Sequence, residues 1–325
     1  MQLRTAIIGC GVIGNKRAGA LDDCPLVAAV DTNVARARQL ASQHPGCQAG
    51  EDWRAAVTRN DLDLVIVATT NDMLAPITLA AAQAGKHVLV EKPAARNAAE
   101  LSPVLDAAKR AGTIVKVGFN HRFHPAFLKA REIVDSGALG PLMFVRARYG
   151  HGGRLGMEKE WRGNPRIAGG GEMLDQGVHL IDLSRWFLGD FAQVLGRAAT
   201  FFWNWQVEDN GFALLGTPAG QIAWLHASCT EWKNVFSFEI YGREGKLHVE
   251  GLGGSYGVER LSFYKMLPQM GPPQTTIWEY PGPDTSWSAE FSHLRDCIAH
   301  NREPSGSLED ALAALDVVGK LYGQS

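Results

Sequence analysis

Three short stretches of this 325-residue chain carry residue types at spacings that could do chemistry. In GEMLDQGVHLID, Gly171 to Asp182, a helix would set Asp175 and His179, four positions apart, one above the other on a single face, with Asp182 three further on. A carboxylate and an imidazole placed this way could be half of a metal site, a proton relay, or an ordinary hydrogen-bonded pair. An imidazole has an ordinary pKa of about 6.5, so it can exchange protons near neutrality. In GKHVLVEKP, Gly85 to Pro93, the residues Glu91, Lys92 and Pro93 follow an apolar run. A lysine after a strand is by default a solvated loop charge. Pro93 restricts Lys92 to extended conformations and so fixes where its side chain points.

The third stretch, GCGVIG, spans Gly9 to Gly14 and matches GxGxxG. Glycine-rich turns are common, but this one follows an apolar run and precedes a helical pattern, and Asp31 stands 22 residues after Gly9 at the end of the next apolar run. Those features form the dinucleotide fingerprint, in which glycines let the backbone approach a pyrophosphate at a helix N-terminus. Gly9, Gly11, Val12, Ile13 and Gly14 are therefore expected to line a cofactor. Asp31 would accept hydrogen bonds from the adenosine ribose and repel a 2′-phosphate. NAD is expected, with Arg36 and Arg38 nearby keeping NADP as the alternative.

These residues need elements to hold them. Leu3 to Ile8, Leu26 to Val30, Leu64 to Ala68, Val88 to Val90 and Ile114 to Val117 are nearly all apolar, as strands buried on both faces should be. Helical patterns lie between them at Asn33 to His44, Pro76 to Ala84 and Asn97 to Ala111, with Pro76 suited to a first turn and Gly85 to a C-terminal cap. Such alternation predicts a doubly wound parallel sheet. After about Asn120 the pattern changes. A helix over Pro125 to Asp135 is followed by longer strand-like segments: Leu142 to Tyr149, Val194 to Trp203, Gly211 to Leu215, Gln221 to Ser228, Val235 to Tyr241, Lys246 to Glu250 and Gly257 to Lys265. Their turn-rich connections predict a mainly antiparallel sheet. Two helical patterns, Trp287 to His300 and Leu308 to Tyr322, come last. The expected domains are residues 1–120 and 121–325, with the last helix packing back on the first. Trp203 and Trp205, in FFWNW, would share a strand face, better suited to an interface or core than to sugar stacking.

Charge is nearly balanced, with 32 Lys plus Arg against 34 Asp plus Glu, and the basic residues are scattered, so no nucleic-acid or anionic-membrane partner is expected. The five cysteines, Cys10, Cys24, Cys47, Cys229 and Cys297, are far apart and show no zinc spacing. The apolar start lacks the layout of a signal peptide, and no segment reaches the roughly 20 apolar residues of a membrane span. A soluble, cytoplasmic protein in a reducing compartment is expected.

In order and spacing, GCGVIG, GKHVLVEKP, GFNHRFHP (Gly118 to Pro125) and WRGNPRIAGGGEMLDQGVHLIDL (Trp161 to Leu183) resemble the glucose-fructose oxidoreductase and inositol dehydrogenase family of sugar and polyol dehydrogenases. The resemblance covers almost the whole chain, and EKP with GG-x(3)-D-x(3)-H is its most specific part. It implies a Rossmann domain followed by an α+β domain whose open sheet makes a homodimer or homotetramer. It also implies catalytic roles for Lys92, Asp175 and His179, and a cis peptide between Lys92 and Pro93. One departure is ATTNDML, Ala68 to Leu74, where many relatives read ATPNxxH: Thr70 replaces the proline and Leu74 the histidine. Asn71 is retained. Thr69, Asn71, Glu91, Lys92 and Asn120 join the expected cofactor contacts.

With that context, the proton-relay reading of Asp175 and His179 leads. No HExxH spacing or third strong ligand accompanies them, and no metal is expected. Oxidation of a secondary alcohol sends hydride to the nicotinamide while a proton leaves oxygen. His179 would take that proton, Asp175 would hold or share it, and Lys92 as an ammonium would stabilise developing alkoxide. Arg122, Tyr149 and Arg162 are softer candidates for substrate contact, with His151 beside Tyr149. Two alternatives remain: an NAD-requiring glycosidase that oxidises transiently, and a sensor that binds NAD without turnover.

Overall fold

The computed structural model describes residues 2–323. Two compact units divide the chain. The first comprises the chain up to Phe119, the short Arg166–Gly169 segment and a return segment, Trp287–Leu312. Its strands are β1 Thr5–Ile8, β2 Leu26–Val30, β3 Gln48–Gly50, β4 Leu64–Val67, β5 His87–Val90 and β6 Val115–Val117. They form one sheet in the order β3-β2-β1-β4-β5-β6 with every neighbouring pair parallel. Every residue of β1 and β4 is buried, as a sheet covered on both faces requires. The strand order reverses between β1 and β4, and ligands of open α/β sheets bind at such a switch point.

The expected strands are present, but two elements of this unit were not anticipated. β3 is a three-residue edge strand with no buried residue, and helix Trp53–Val57 is a single short turn. Helix Asn71–Gln83 also begins five residues before the expected start at Pro76, which lies inside it. Thr70 holds extended backbone at the N-cap, and Asp72 stands in the first turn with Oδ1 accepting from Thr70 Oγ1 at 2.6 Å. These polar start signals outweigh the proline, which as the sixth residue costs the helix one internal bond to the Asp72 carbonyl. Helix Ala98–Ala111 is capped as expected, with the Asn97 side chain accepting from Glu100 N and Gly112 left-handed at the end. The return helix, Ser286–His300, contributes Phe291, Leu294 and Cys297 to the same core as Leu3, Ile7, Leu26, Leu40, Leu64 and Leu89.

The second unit comprises Asn120–Pro165, Gly170–Ser286 and the chain from Ala313. Its strands are β7 Leu142–Gly150, β8 Gln193–Ala199, β9 Asn210–Gly216, β10 Ile222–Ser228, β11 Val235–Gly242, β12 Gly245–Glu250, β13 Glu259–Lys265 and β14 Gln274–Tyr280. They form one sheet in the order β14-β13-β12-β11-β7-β10-β9-β8, antiparallel except where β10 meets β7. One face is apolar and covered: Phe127 of helix Pro125–Asp135 packs edge-on against Phe238 at 5.3 Å and Phe236 at 5.9 Å. The other face presents Phe144, Leu214, Ile222 and Trp224, each 37–45% exposed. This is the α/β architecture expected, a parallel sheet followed by a large open antiparallel one.

Two strand expectations fail here. β8 ends at Ala199 rather than Trp203, because the Asp209 carboxylate accepts the N–H groups of Phe201, Phe202 and Trp203 at 2.8–2.9 Å and replaces the ladder bonds. Trp203 and Trp205 therefore share no strand face, and Trp203 Nε1 donates to Cys229 O at 2.9 Å. β14 was not anticipated; it is an edge strand with no buried residue, so it lacks the apolar alternation that marks a strand.

Candidate active site

The glycine turn follows β1 directly. Gly9 has φ +96°, and a Cβ there would stand 2.3 Å from the Ala68 carbonyl oxygen; one on Gly14 would stand 2.0 Å from Gly9 O. Both positions are closed by the chain itself, which only glycine tolerates. A Cβ on Gly11 would meet nothing within 4 Å, and neighbouring Val12 is strongly exposed, so the outer side of the turn is open. At the end of β2, Asp31 accepts the N–H of Cys10 and of Asn33, each at 2.8 Å and one on each oxygen. An open turn beside an anchored carboxylate fits the phosphates and adenosine ribose of a dinucleotide. Burial and the Asp31 charge push the Cys10 thiol up to about 12, so it is inert beside that turn.

Asn71 is buried, and its side-chain N–H donates to Ala168 O at 2.8 Å; Thr69 Oγ1 donates to Thr70 O at 3.3 Å. Lys92 stands just past the end of β5, in a turn closed by Ala94 N donating to Glu91 O at 2.9 Å, and the Lys92–Pro93 peptide is cis, as the resemblance implied. The Glu91 side chain is buried and accepts from Arg17 Nε at 2.6 Å.

In the second unit, Asp175 and His179 lie on one continuous helical stretch with a change of pitch. Residues Met173–Gly177 form a π-helical turn, and Val178–Leu188 continues as α-helix. Such turns inside helices are frequent at functional sites. The turn is anchored from below: Glu208 accepts the N–H groups of Gly171 and Met173 at 2.8 and 3.0 Å, and Tyr322 donates to the same carboxylate. Asp175 is half-buried and accepts from Arg162 Nε at 3.2 Å. His179 is buried, and the His121 ring lies over it with centroids 3.7 Å apart and planes tilted by 31°. Tyr149 stands 6.4 Å from the His179 ring and 5.1 Å from that of Tyr256. Burial, then Tyr256, Asp175 and Glu172, hold the Tyr149 phenol well above its ordinary pKa, so it stays a neutral hydroxyl. His151 Nε2 lies 3.4 Å from Glu172 Oε1. Burial works against its protonation, but the bond to Glu172 and the charges of Glu172 and Asp175 outweigh this and raise its pKa.

The expected substrate residues thus part company. Arg162 and Tyr149 gather with Asp175 and His179. Arg122 instead makes a buried fork with Asp182, Nε to Oδ2 at 2.8 Å and Nη2 to Oδ1 at 2.6 Å, and Asp182 is 1% exposed. Asn120 Nδ2 donates to Ser286 Oγ at 2.9 Å. The structure adds His121, Tyr256 and Glu172 to this group. His121 and Glu172 lay inside recognised segments, but nothing in their spacing marks them as neighbours of His179 or His151.

A parallel sheet with a glycine turn at its switch point and a carboxylate at the end of the neighbouring strand defines a dinucleotide-binding protein, here joined to a second unit with its own acid–imidazole group. A family model described as "Oxidoreductase family, NAD-binding Rossmann fold" matches residues 3–119, and one described as "GFO/IDH/MocA C-terminal domain" matches residues 127–248. The chain is 30% identical to D-glucoside 3-dehydrogenase of Escherichia coli over 248 residues, 70% of each chain. It therefore belongs to the GFO/IDH/MocA family of NAD-binding oxidoreductases. It is also 29% identical to levoglucosan dehydrogenase of Pseudarthrobacter phenanthrenivorans over 67% of this chain; the match spans only 60% of that enzyme's length. A crystal structure of aldose-aldose oxidoreductase from Caulobacter crescentus complexed with glycerol superposes with a TM-score of 0.86 at 27% identity, covering 100% of this chain and 97% of that one.

Proposed function

We propose that the protein oxidises a secondary alcohol of a sugar, polyol or sugar derivative, with His179 taking the hydroxyl proton. The observation that carries this reading is the buried His179 ring beside Asp175, in a wall of hydroxyl and imidazole groups from Tyr149, Tyr256 and His151. Such a wall suits a ligand rich in hydroxyls. The relatives named for glucosides and levoglucosan support the same substrate class. Bound NAD supplies the hydride acceptor. His179 acts as general base, Asp175 steadies the proton it receives, and Lys92 as an ammonium donates a hydrogen bond to the substrate oxygen as negative charge develops. Asp31 selects NAD over NADP through the ribose hydroxyls.

The test is a screen for NADH formation over inositols, free sugars, glycosides and sugar phosphates. With the substrate found, Lys92→Met and His179→Ala should each lower kcat about a hundred- to ten-thousand-fold while NADH still binds. Full activity in either variant removes that residue from the chemistry, and turnover without net NADH points to transient oxidation instead. Asp31→Ala should reduce the preference for NAD over NADP in paired KM measurements. A second copy of the chain is proposed to cover the open sheet face, where Phe144, Leu214, Ile222 and Trp224 lie exposed. A monomer in light scattering at micromolar concentration would reject that.

A further inference from the structure

Behind Lys92, the first unit buries four charges in one cluster. Arg17, in helix Val12–Ala18, is 1% exposed; its Nε donates to Glu91 Oε1 and its Nη1 to Glu290 Oε2, both at 2.6 Å. Glu290 comes from the return helix and is fully buried, and Lys116 Nζ on β6 lies 3.7 Å from its other oxygen. The Trp287 indole covers the guanidinium at 4.5 Å. Gly118 leaves the space the pair occupies: a Cβ there would stand 2.7 Å from Arg17 Nη2 and 3.1 Å from Glu91 Oε2. Two cations and two carboxylates make the cluster neutral. Buried ion pairs seldom add net stability over apolar packing of the same volume. Arg17, Glu290 and Lys116 have no part in the proposed chemistry, so their place at this strand end asks for another reason.

Glu91 is joined to Lys92 by one peptide bond, and an uncompensated carboxylate there would favour the lysine's charged form and hold its proton more tightly. We propose that Arg17 is a positioning residue for Lys92: it anchors and cancels the Glu91 carboxylate, so that substrate and cofactor, rather than its own neighbour, set the acidity of the Lys92 ammonium. This rests on Lys92 being the donor to the substrate oxygen. Among the described residues of the first unit, Arg17, Glu290 and Lys92 itself act on the Glu91 carboxyl, and Lys116 reaches the cluster through Glu290.

The experiment is the pH profile of kcat/KM for the full-length enzyme and its variants, read at the alkaline limb where Lys92 loses its proton. Glu91→Gln leaves Arg17 and Lys116 facing only Glu290, and should move that limb down by about one pH unit. Burial raises the Glu91 carboxyl even beside Arg17, so in Arg17→Gln it takes up a proton and the limb should move less than in Glu91→Gln, while the double variant should return it close to wild type. A merely structural role lowers Tm in these variants and leaves the limb in place. Glu91→Gln is decisive even if Arg17→Gln fails to fold: a limb that stays put or rises overturns the inference. Lys92→Met separates the two readings. If it is inactive while the Glu91→Gln limb is unmoved, only this inference fails; if it is active, the role of Lys92 fails as well.

Discussion

Lys92 and His179, the two groups proposed to handle the substrate oxygen, have neighbourhoods made of different materials. Behind Lys92 stand ions: Arg17, Glu91, Glu290 and Lys116, locked by bonds as short as 2.6 Å. Against His179 stand rings: His121 at 3.7 Å and Tyr149 at 6.4 Å, with Phe236 behind at 6.0 Å from His121. An ionic frame suits a group that must keep one charge, because its members hold one another in fixed positions. A wall of rings suits a group that must gain and lose a proton, since it excludes water and still meets a transient imidazolium with its π-face. The contrast ties each proposed role to the material around it.

The contrast can be broken by substitution. Arg17→Met should be the costliest change, roughly 3–5 kcal/mol in denaturant unfolding, because it leaves two buried carboxylates without their shared partner. His121→Leu should cost less, about 1–3 kcal/mol, since it removes a buried polar ring whose Nδ1 lies 3.3 Å from Asn120 Oδ1. Equal losses in the two would erase the distinction. In turnover the order should reverse for the ring: His121→Leu should slow the reaction about tenfold, and His121→Phe, which keeps an aromatic face over His179, should recover most of that. Identical rates for Leu and Phe would show that the face of the ring is irrelevant.

The smallest effect is expected where the ion pair of His151 and Glu172 borders the rings. His151 has a raised pKa, and burial is overcome by Glu172 and Asp175. A folded-state pKa above the unfolded one gives stability that is complete below the ordinary histidine value of about 6.5 and is lost as pH rises through the higher folded value. Glu172→Gln should therefore lower Tm more at mildly acidic pH than at alkaline pH. His151 retains some solvent contact, so the gap should stay within about 1 kcal/mol. A gap that widens toward alkaline pH would reverse the assignment.

Much of this was legible in residue order. The glycine turn, Asp31 and the helix Pro125–Asp135 were readable because each is decided by neighbours a few residues away: a steric limit at glycine, a carboxylate closing a strand, an apolar stripe after a proline. Reading failed where local signals compete or are absent. Pro76 drew attention from the earlier start at Thr70, and the aromatic run of FFWNW suggested a strand that the Asp209 carboxylate ends. β14 has no buried residue and so no period to detect.

By itself, the sequence determined the two architectures and the dinucleotide turn, because periodicity and motif spacing are properties of the chain alone, and its resemblance to the sugar and polyol dehydrogenases pointed to Lys92, Asp175 and His179. Only tertiary structure decided what surrounds them. Glu290 reaches Arg17 across 273 positions, Arg122 closes on Asp182 across 60, and His121 stacks on a ring 58 residues later. A buried charge or ring is shaped by what the fold brings within a few ångströms, and separation along the chain carries no record of that distance.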